Sequence, residues 1–129
     1  MTKNILKKIL VVDDEINVCK SIRRALICDE YEIDMATGGE EALHKEAEKH
    51  YDVILVDLMM PGLSGLDLLK SLKGQRSRAQ IVMMTGYPST RTSLDTMQLG
   101  AFDYLPKPFI PSEIRNVVIR ALAAEGTEE

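Results

Sequence analysis

The sequence predicts an α/β fold, five parallel strands in one sheet with helices covering both faces. Two observations predict it. The runs Ile9-Leu10-Val11-Val12, Val53-Ile54-Leu55-Val56 and Ile81-Val82-Met83-Met84 are apolar at every position, as strands are when helices shield both of their faces. Stretches of helical period separate them, and strict alternation of strand and helix implies right-handed crossovers and a doubly wound, three-layer sandwich.

In chain order, Ile9 to Val12 is the first strand. The helix after it, Ile16 to Ile27, places Ile16, Cys19, Ile22, Arg23 and Leu26 near one face. Tyr31-Glu32-Ile33-Asp34-Met35 alternates, as a strand does at a sheet edge or with one wetter face. Thr37-Gly38-Gly39-Glu40 has the Ser/Thr-x-x-acid form of a capping box and opens a helix that runs to about His50. Val53 to Val56 is the third strand, and Ser64-Gly65-Leu66-Asp67 opens a helix of the same kind to about Lys73. After the fourth strand, the helix from about Ser89 to Leu99 has only Leu94, Met97 and Leu99 as large apolar residues. With so little to bury, it should be the least stable of the five helices and the one that moves. Ala101-Phe102-Asp103-Tyr104-Leu105 alternates as the fifth strand. Pro111 suits a first helical turn, and the last helix, through Ile114, Val117, Val118 and Leu122, should end near Gly126, with Glu125 to Glu129 frayed.

The 129 residues, 45% hydrophobic and 28% charged, suit a single domain over residues 1–129 with its core at about 8–124, and two domains would be cramped. A net charge of −4 gives no general attraction to nucleic acid or to an anionic membrane. Lys7, Lys8, Arg23, Arg24, Lys70, Lys73, Arg76 and Arg78 are scattered over helix faces and loop ends, which reads as solvated surface and predicts no direct nucleic-acid binding. Cys19 and Cys28, nine positions apart in one predicted helix, are roughly 13 Å apart at its rise per residue. They cannot pair, so Cys19 is expected as core filler and Cys28 as a half-buried thiol, both reduced. Met1-Thr2-Lys3-Asn4 lacks a signal-peptide core, and no apolar run nears the ~20 residues that span a bilayer. A soluble, cytoplasmic protein is expected.

In a doubly wound sheet the ligand site lies beyond the carboxyl ends of the strands where strand order reverses, which for the order 2-1-3-4-5 is between the first and third strands. Asp13 and Asp14 directly follow the first strand, Asp57 follows the third, Thr85 caps the fourth and Lys107 lies just beyond the fifth. Three neighbouring carboxylates raise one another's pKa values unless a cation sits among them. All ligands on offer are hard oxygens, with no His or Cys at a strand end, so Mg²⁺, or Mn²⁺, is favoured. A blander reading makes Asp13 and Asp14 helix caps and Asp57 a solvated loop residue, but it leaves the clustering unexplained.

The residues Val11-Val12-Asp13-Asp14-Glu15, Asp57-Leu58-Met59-Met60-Pro61-Gly62, Thr85-Gly86-Tyr87 and Lys107-Pro108-Phe109 follow the first, third, fourth and fifth strands. Through them the chain, from Lys8 to about Ala124, resembles the receiver domain of bacterial two-component response regulators. The resemblance implies that Asp57 accepts a phosphoryl group from the phosphohistidine of a sensor kinase, or from a phosphotransfer protein. It further implies that Asp14 and Asp57 hold Mg²⁺ through carboxylates, Asp13 through water and Met59 through its backbone carbonyl, while Lys107 pairs with a phosphoryl oxygen. Thr85 would bond the new phosphoryl group and Tyr104 would fill the space its loop vacates, switching a downstream effector domain or partner. Such a domain catalyses only its own phosphorylation and dephosphorylation. The Lys107-Pro108 bond is usually cis in the family, and a homodimer through the fourth helix, fifth strand and last helix is a family expectation. The stretch Gly100 to Phe109, with Thr85-Gly86-Tyr87, is similar to receivers of enhancer-binding transcription activators. Met59 and Tyr87 stand at the family's variable lifetime-tuning positions, and two bulky residues there imply slow self-dephosphorylation.

Three rivals compete. A haloacid-dehalogenase-type hydrolase needs a second acid two residues after its nucleophile, and Asp57-Leu58-Met59 lacks one. A flavodoxin-like carrier shares the strand order but needs a hydroxyl-rich phosphate loop where Asp13-Asp14-Glu15 stands. A receiver-like interaction module acting without phosphorylation is opposed by the complete set Asp13, Asp14, Asp57, Thr85 and Lys107. His44 and His50, on the second helix, lie far from the strand ends.

Overall fold

The computed structural model describes residues 5–125. Five strands, β1 (Lys7–Val12), β2 (Tyr31–Ala36), β3 (Val53–Asp57), β4 (Gln80–Thr85) and β5 (Asp103–Pro106), alternate with α1 (Ile16–Leu26), α2 (Gly39–Lys49), α3 (Gly65–Gly74), α4 (Thr90–Gln98) and α5 (Pro111–Glu125). All strand pairs are parallel, in the expected order β2-β1-β3-β4-β5. The register aligns Val12 with Val56 and Asp57 with Met84, so the residues that end β1, β3 and β4 come out at the same edge.

Strand residues alternate between two cores. Leu10, Val12, Ile54, Val56, Ile81 and Met83 meet Ala42 of α2 and Leu68, Leu69 and Leu72 of α3 on one face. Ile9, Val11, Val53, Leu55, Val82 and Met84 meet Cys19, Ile22 and Leu26 of α1 and Ile114, Val117, Val118 and Ala121 of α5 on the other. β1 and β3 therefore have strands on both sides and helices on both faces, and nothing about them can shift without disturbing two cores. α4 is anchored far less. Thr96 is its one buried residue, and Leu94 and Met97 remain 56% and 43% exposed, so the helix buries as little as its sequence implied.

Several local expectations are corrected. The capping box at Thr37 does not form: Gly38 is the N-cap and bonds through no side chain. Thr37 stands one residue too early, and Glu41 instead of Glu40 accepts from its backbone N–H at 2.9 Å. The box at Ser64 forms, with Ser64 Oγ accepting from Asp67 N–H at 3.2 Å. α1 stops at Leu26, and Ile27 turns the chain out of the helix, so Cys28 is exposed rather than half-buried. Ile16, expected on the buried face, opens that helix 42% exposed, and Arg23 is also exposed. β5 begins at Asp103 instead of Ala101, because the Ala101 N–H is spent closing α4 on the Thr96 carbonyl at 3.1 Å. The helix end near Gly126 and the tail beyond Glu125 lie outside the described residues. Among those residues no helix is long and apolar enough to cross a membrane.

Candidate functional site

The parallel register delivers three carboxylates to one place. Asp13 follows the last residue of β1, and its own Oδ1 accepts from the Glu15 N–H at 2.9 Å, which folds the β1–α1 loop back over the strand end. Asp13, Asp14 and Asp57 offer oxygens that all lie within 4.8 Å of one another. Asp13 is fully buried and Asp57 is 5% exposed, whereas Asp14 faces solvent. Lys107, from beyond β5, reaches across with its Nζ 3.0 Å from Asp13 Oδ2 and 3.5 Å from Asp57 Oδ1. It is followed by a cis peptide bond to Pro108.

One ammonium does not balance three carboxylates, and the titration of the site reflects that. Burial, and then the charge of Asp13, push the Asp57 carboxyl up to about 6, against the opposing pull of Lys107 and of the Met59 N–H. Burial works against the charge on Lys107, yet the hydrogen bond and charge of Asp13, with Asp57 behind it, hold its pKa above the ordinary value. The excess negative charge, the close oxygen set and the absence of soft ligands fit a hard divalent cation of the Mg²⁺ kind.

The neighbouring residues divide. Met59 turns its side chain to solvent, 60% exposed, while its backbone lies beside Asp57. Pro61-Gly62 turns the chain behind Asp57 with Gly62 at φ +74°, the left-handed value that a glycine in the third position of such a turn adopts. Thr85 is buried at the end of β4, and its Oγ1 accepts from the Tyr87 N–H at 3.0 Å. Tyr104 points its hydroxyl at the start of α4, where it lies 2.8 Å from Thr92 Oγ1 and accepts from the Ser89 N–H at 3.4 Å. Ser89 and Thr92 were not singled out from the sequence. Ser89 signals a helix start, and its Oγ accepts from the Thr92 N–H at 3.1 Å, but the reach to Tyr104 depends on how α4 packs beside β5. Cys19 sits under the site, with its thiol 3.4 Å from the Asp13 carbonyl oxygen. Burial, and next the Asp13 charge, push that thiol to about 11.

Residues 9–119 match the profile of the response regulator receiver domain. The chain is 36% identical over 124 residues to the regulatory protein AtoC of Escherichia coli, covering 96% of this chain and 27% of that protein. It is 39% identical over 116 residues to the transcriptional regulatory protein ResD of Bacillus subtilis, covering 90% and 47%. The chain thus spans about a quarter and about half of the length of these relatives. The crystal structure of a CheY-like response regulator receiver domain protein from Methanospirillum hungatei superposes with a TM-score of 0.90 at 29% identity, covering 97% of this chain and 100% of that one.

Proposed function

The chain belongs to the response regulator receiver family of two-component systems, and on that premise we propose that it is switched by phosphorylation of Asp57. The observation that carries this reading is the meeting of Asp13, Asp14 and Asp57 within 4.8 Å, with Lys107 held against two of them.

The donor is the phosphohistidine of a sensor kinase or phosphotransfer protein. An ionised Asp57 oxygen forms the new O–P bond as the N–P bond breaks, and the imidazole leaves with the electron pair of that bond. Phosphoryl transfer asks the protein mainly for positioning and charge neutralisation. Asp57 is positioned by the central strand that bears it, and Lys107 is already close enough to exchange an Asp57 oxygen for a phosphoryl oxygen. Asp14 and Asp57 would hold Mg²⁺ through carboxylates, Asp13 through water and Met59 through its carbonyl. Bound there, the ion would neutralise charge on the equatorial phosphoryl oxygens.

The readout runs through Thr85 and Tyr104. The Thr85 hydroxyl hydrogen-bonds the new group and draws the β4–α4 loop inward. The Tyr104 ring follows and gives up its hydrogen bonds to Ser89 and Thr92, at the start of the least anchored helix. The surface so altered, with Leu94 and Met97 exposed on α4 and the Arg120–Asp103 ion pair of 3.1 Å beside it, would meet an effector domain, a partner protein or a second copy of the chain. The unit works in the cytoplasm as one domain over residues 1–129, as a signalling module and not as an enzyme with an external substrate.

Intact mass after incubation with Mg²⁺ and acetyl phosphate, beside Asp57→Ala, tests the reading. An acid-stable, base-labile gain of one phosphoryl group that the variant lacks is expected. No gain with an active donor, followed by none from a panel of kinases, would make this a phosphorylation-independent interaction module.

A further inference from the structure

Gly65 is the first residue of α3 and stands eight positions past Asp57, the end of β3. A Cβ built on it would overlap the carbonyl oxygen of Asp57 and lie 2.7 Å from Leu58 Cα and 3.0 Å from the Asp57 carbonyl carbon. Every one of these atoms is backbone, which cannot swing aside as the end of a long side chain can. The Gly65 N–H also donates to the Leu58 carbonyl at 3.0 Å, and on the opposite side the Leu58 N–H donates to the Met84 carbonyl of β4 at 2.8 Å. The backbone of Leu58, the residue after Asp57, is therefore held between a strand and a helix end.

We propose that Gly65 is a positioning residue for the cation and phosphoryl site, setting where Asp57 and the Met59 backbone stand relative to Asp13 and Asp14. This rests on the receiver reading above, but concerns a residue that touches no reacting atom. Asp13 and Asp14 are fixed by β1 and its loop, and Asp57 and Met59 by β3 and its loop, so the oxygen cage is assembled from two separately held halves. The contact at Gly65 fixes the second half. A side chain at 65 forces the acceptor peptide or the first turn of α3 to move, and the carboxylate that moves with it leaves a cage whose oxygens now lie within 4.8 Å of one another. Outer-shell residues of this kind typically change metal affinity by about 10- to 100-fold when altered.

Gly65→Ala would be compared with wild type and with Leu72→Ala, a buried position at the far end of the same helix, by calorimetric titration with Mg²⁺ and thermal unfolding in EDTA. Gly65→Ala is expected to bind Mg²⁺ about tenfold more weakly or worse, while Leu72→Ala unfolds at lower temperature and binds as wild type does. Where Gly65→Ala fails to fold, Ser64→Ala takes its place. It removes the cap on the Asp67 N–H, loosens the first turn without a new contact, and should weaken Mg²⁺ binding to a lesser degree. Undiminished binding by Gly65→Ala, or by Ser64→Ala in its stead, overturns the inference, as does equal weakening by Leu72→Ala. Wild type that binds no Mg²⁺ overturns the site reading itself, and the positioning role falls with it.

Discussion

Replacing Asp57 with asparagine should stabilise the metal-free protein at neutral pH, by an amount that the titration of this carboxyl sets. Asparagine keeps the shape and stands in for the protonated acid. The Asp57 carboxyl titrates at about 6 in the fold against an ordinary 3.8, chiefly through burial and then through Asp13. Between those values the folded protein holds a proton that the unfolded chain has released, so stability falls as pH rises across the window. The loss starts near pH 4 and is complete somewhat above pH 6; at about 1.4 kcal/mol per pH unit it reaches about 3 kcal/mol. Little of it is screened by water, because the side chain is only 8% exposed. The substitution strands no buried charge either, since Lys107 keeps its 3.0 Å pairing with Asp13. Urea denaturation of both proteins in EDTA, from about pH 4 to about pH 7, cancels the titration of groups common to the two. The variant's advantage should be near zero at the acid end and grow to about 3 kcal/mol, on the order of 10 °C in Tm, at the neutral end. Saturating Mg²⁺ should narrow the gap by stabilising wild type preferentially. An advantage that stays constant with pH, or a variant less stable at neutral pH, would show that the charged acceptor is not destabilised where it stands.

Tyr104→Phe keeps the ring but loses the hydrogen bonds to Thr92 and Ser89, at a cost of about 1 kcal/mol. Amide exchange should speed up over residues 89–93 and stay unchanged in β1 and β3, and unaltered exchange at the start of α4 would remove the tyrosine as its anchor. Met59→Asn places a hydrogen-bonding group at an exposed position beside the acceptor, where it can orient a hydrolytic water. The half-life of the phosphorylated form should shorten, and an unchanged decay would show that Met59 does not slow it. A thiol reagent at neutral pH should modify Cys28 quickly and Cys19 only on unfolding, because Cys28 is exposed while Cys19 is buried with its pKa pushed to about 11. Mass spectrometry of the native protein that finds both labelled at similar rates would mean that α1 opens readily.

The sheet was legible because its central strands carry the plainest pattern a sequence can hold. Ile54 and Leu55 face different cores, both are buried, and a strand shielded on both faces reads as unbroken apolar residues. The site was legible for a topological reason, since residues just past parallel strands must share one edge. The roles of individual residues came from the resemblance, because geometry alone does not separate the acceptor from its neighbours. What escaped depends on packing between distant segments. Glu46 looks like a surface residue of α2, yet it is buried because Tyr51 N–H and Ser77 O–H donate to its two oxygens at 2.8 and 2.7 Å, and Ser77 is 31 positions away. Thr37 carried the right capping residues one position out of register, and Cys28 was misjudged because the helix carrying it ends two residues earlier.

The acceptor and the helix that reads it differ in how firmly they are held, and the proposed switch needs that difference. Asp13 and Asp57 extend from β1 and β3, which have strands on both sides and cores on both faces, so moving either disturbs close packing in two layers. α4 buries only Thr96, and hydrogen bonds of about 1 kcal/mol each form a large part of its attachment. The loop before it is tied at both ends by such bonds, from Tyr87 N–H to Thr85 Oγ1 and from Ser89 N–H to the Tyr104 hydroxyl. In the proposed switch a Thr85 hydroxyl that moves to donate to a phosphoryl oxygen pulls the first tie, and with it the Tyr87 N–H, inward, and a Tyr104 ring that turns inward releases the second. A coupling of about 1–3 kcal/mol, the sum of a few such bonds, shifts a two-state equilibrium by about 5- to 150-fold. The same energy spent on β1 or β3 would move nothing. In the proposed switch the rigid strands therefore keep the chemistry in place, and the response falls to α4, which bonds of this size can displace.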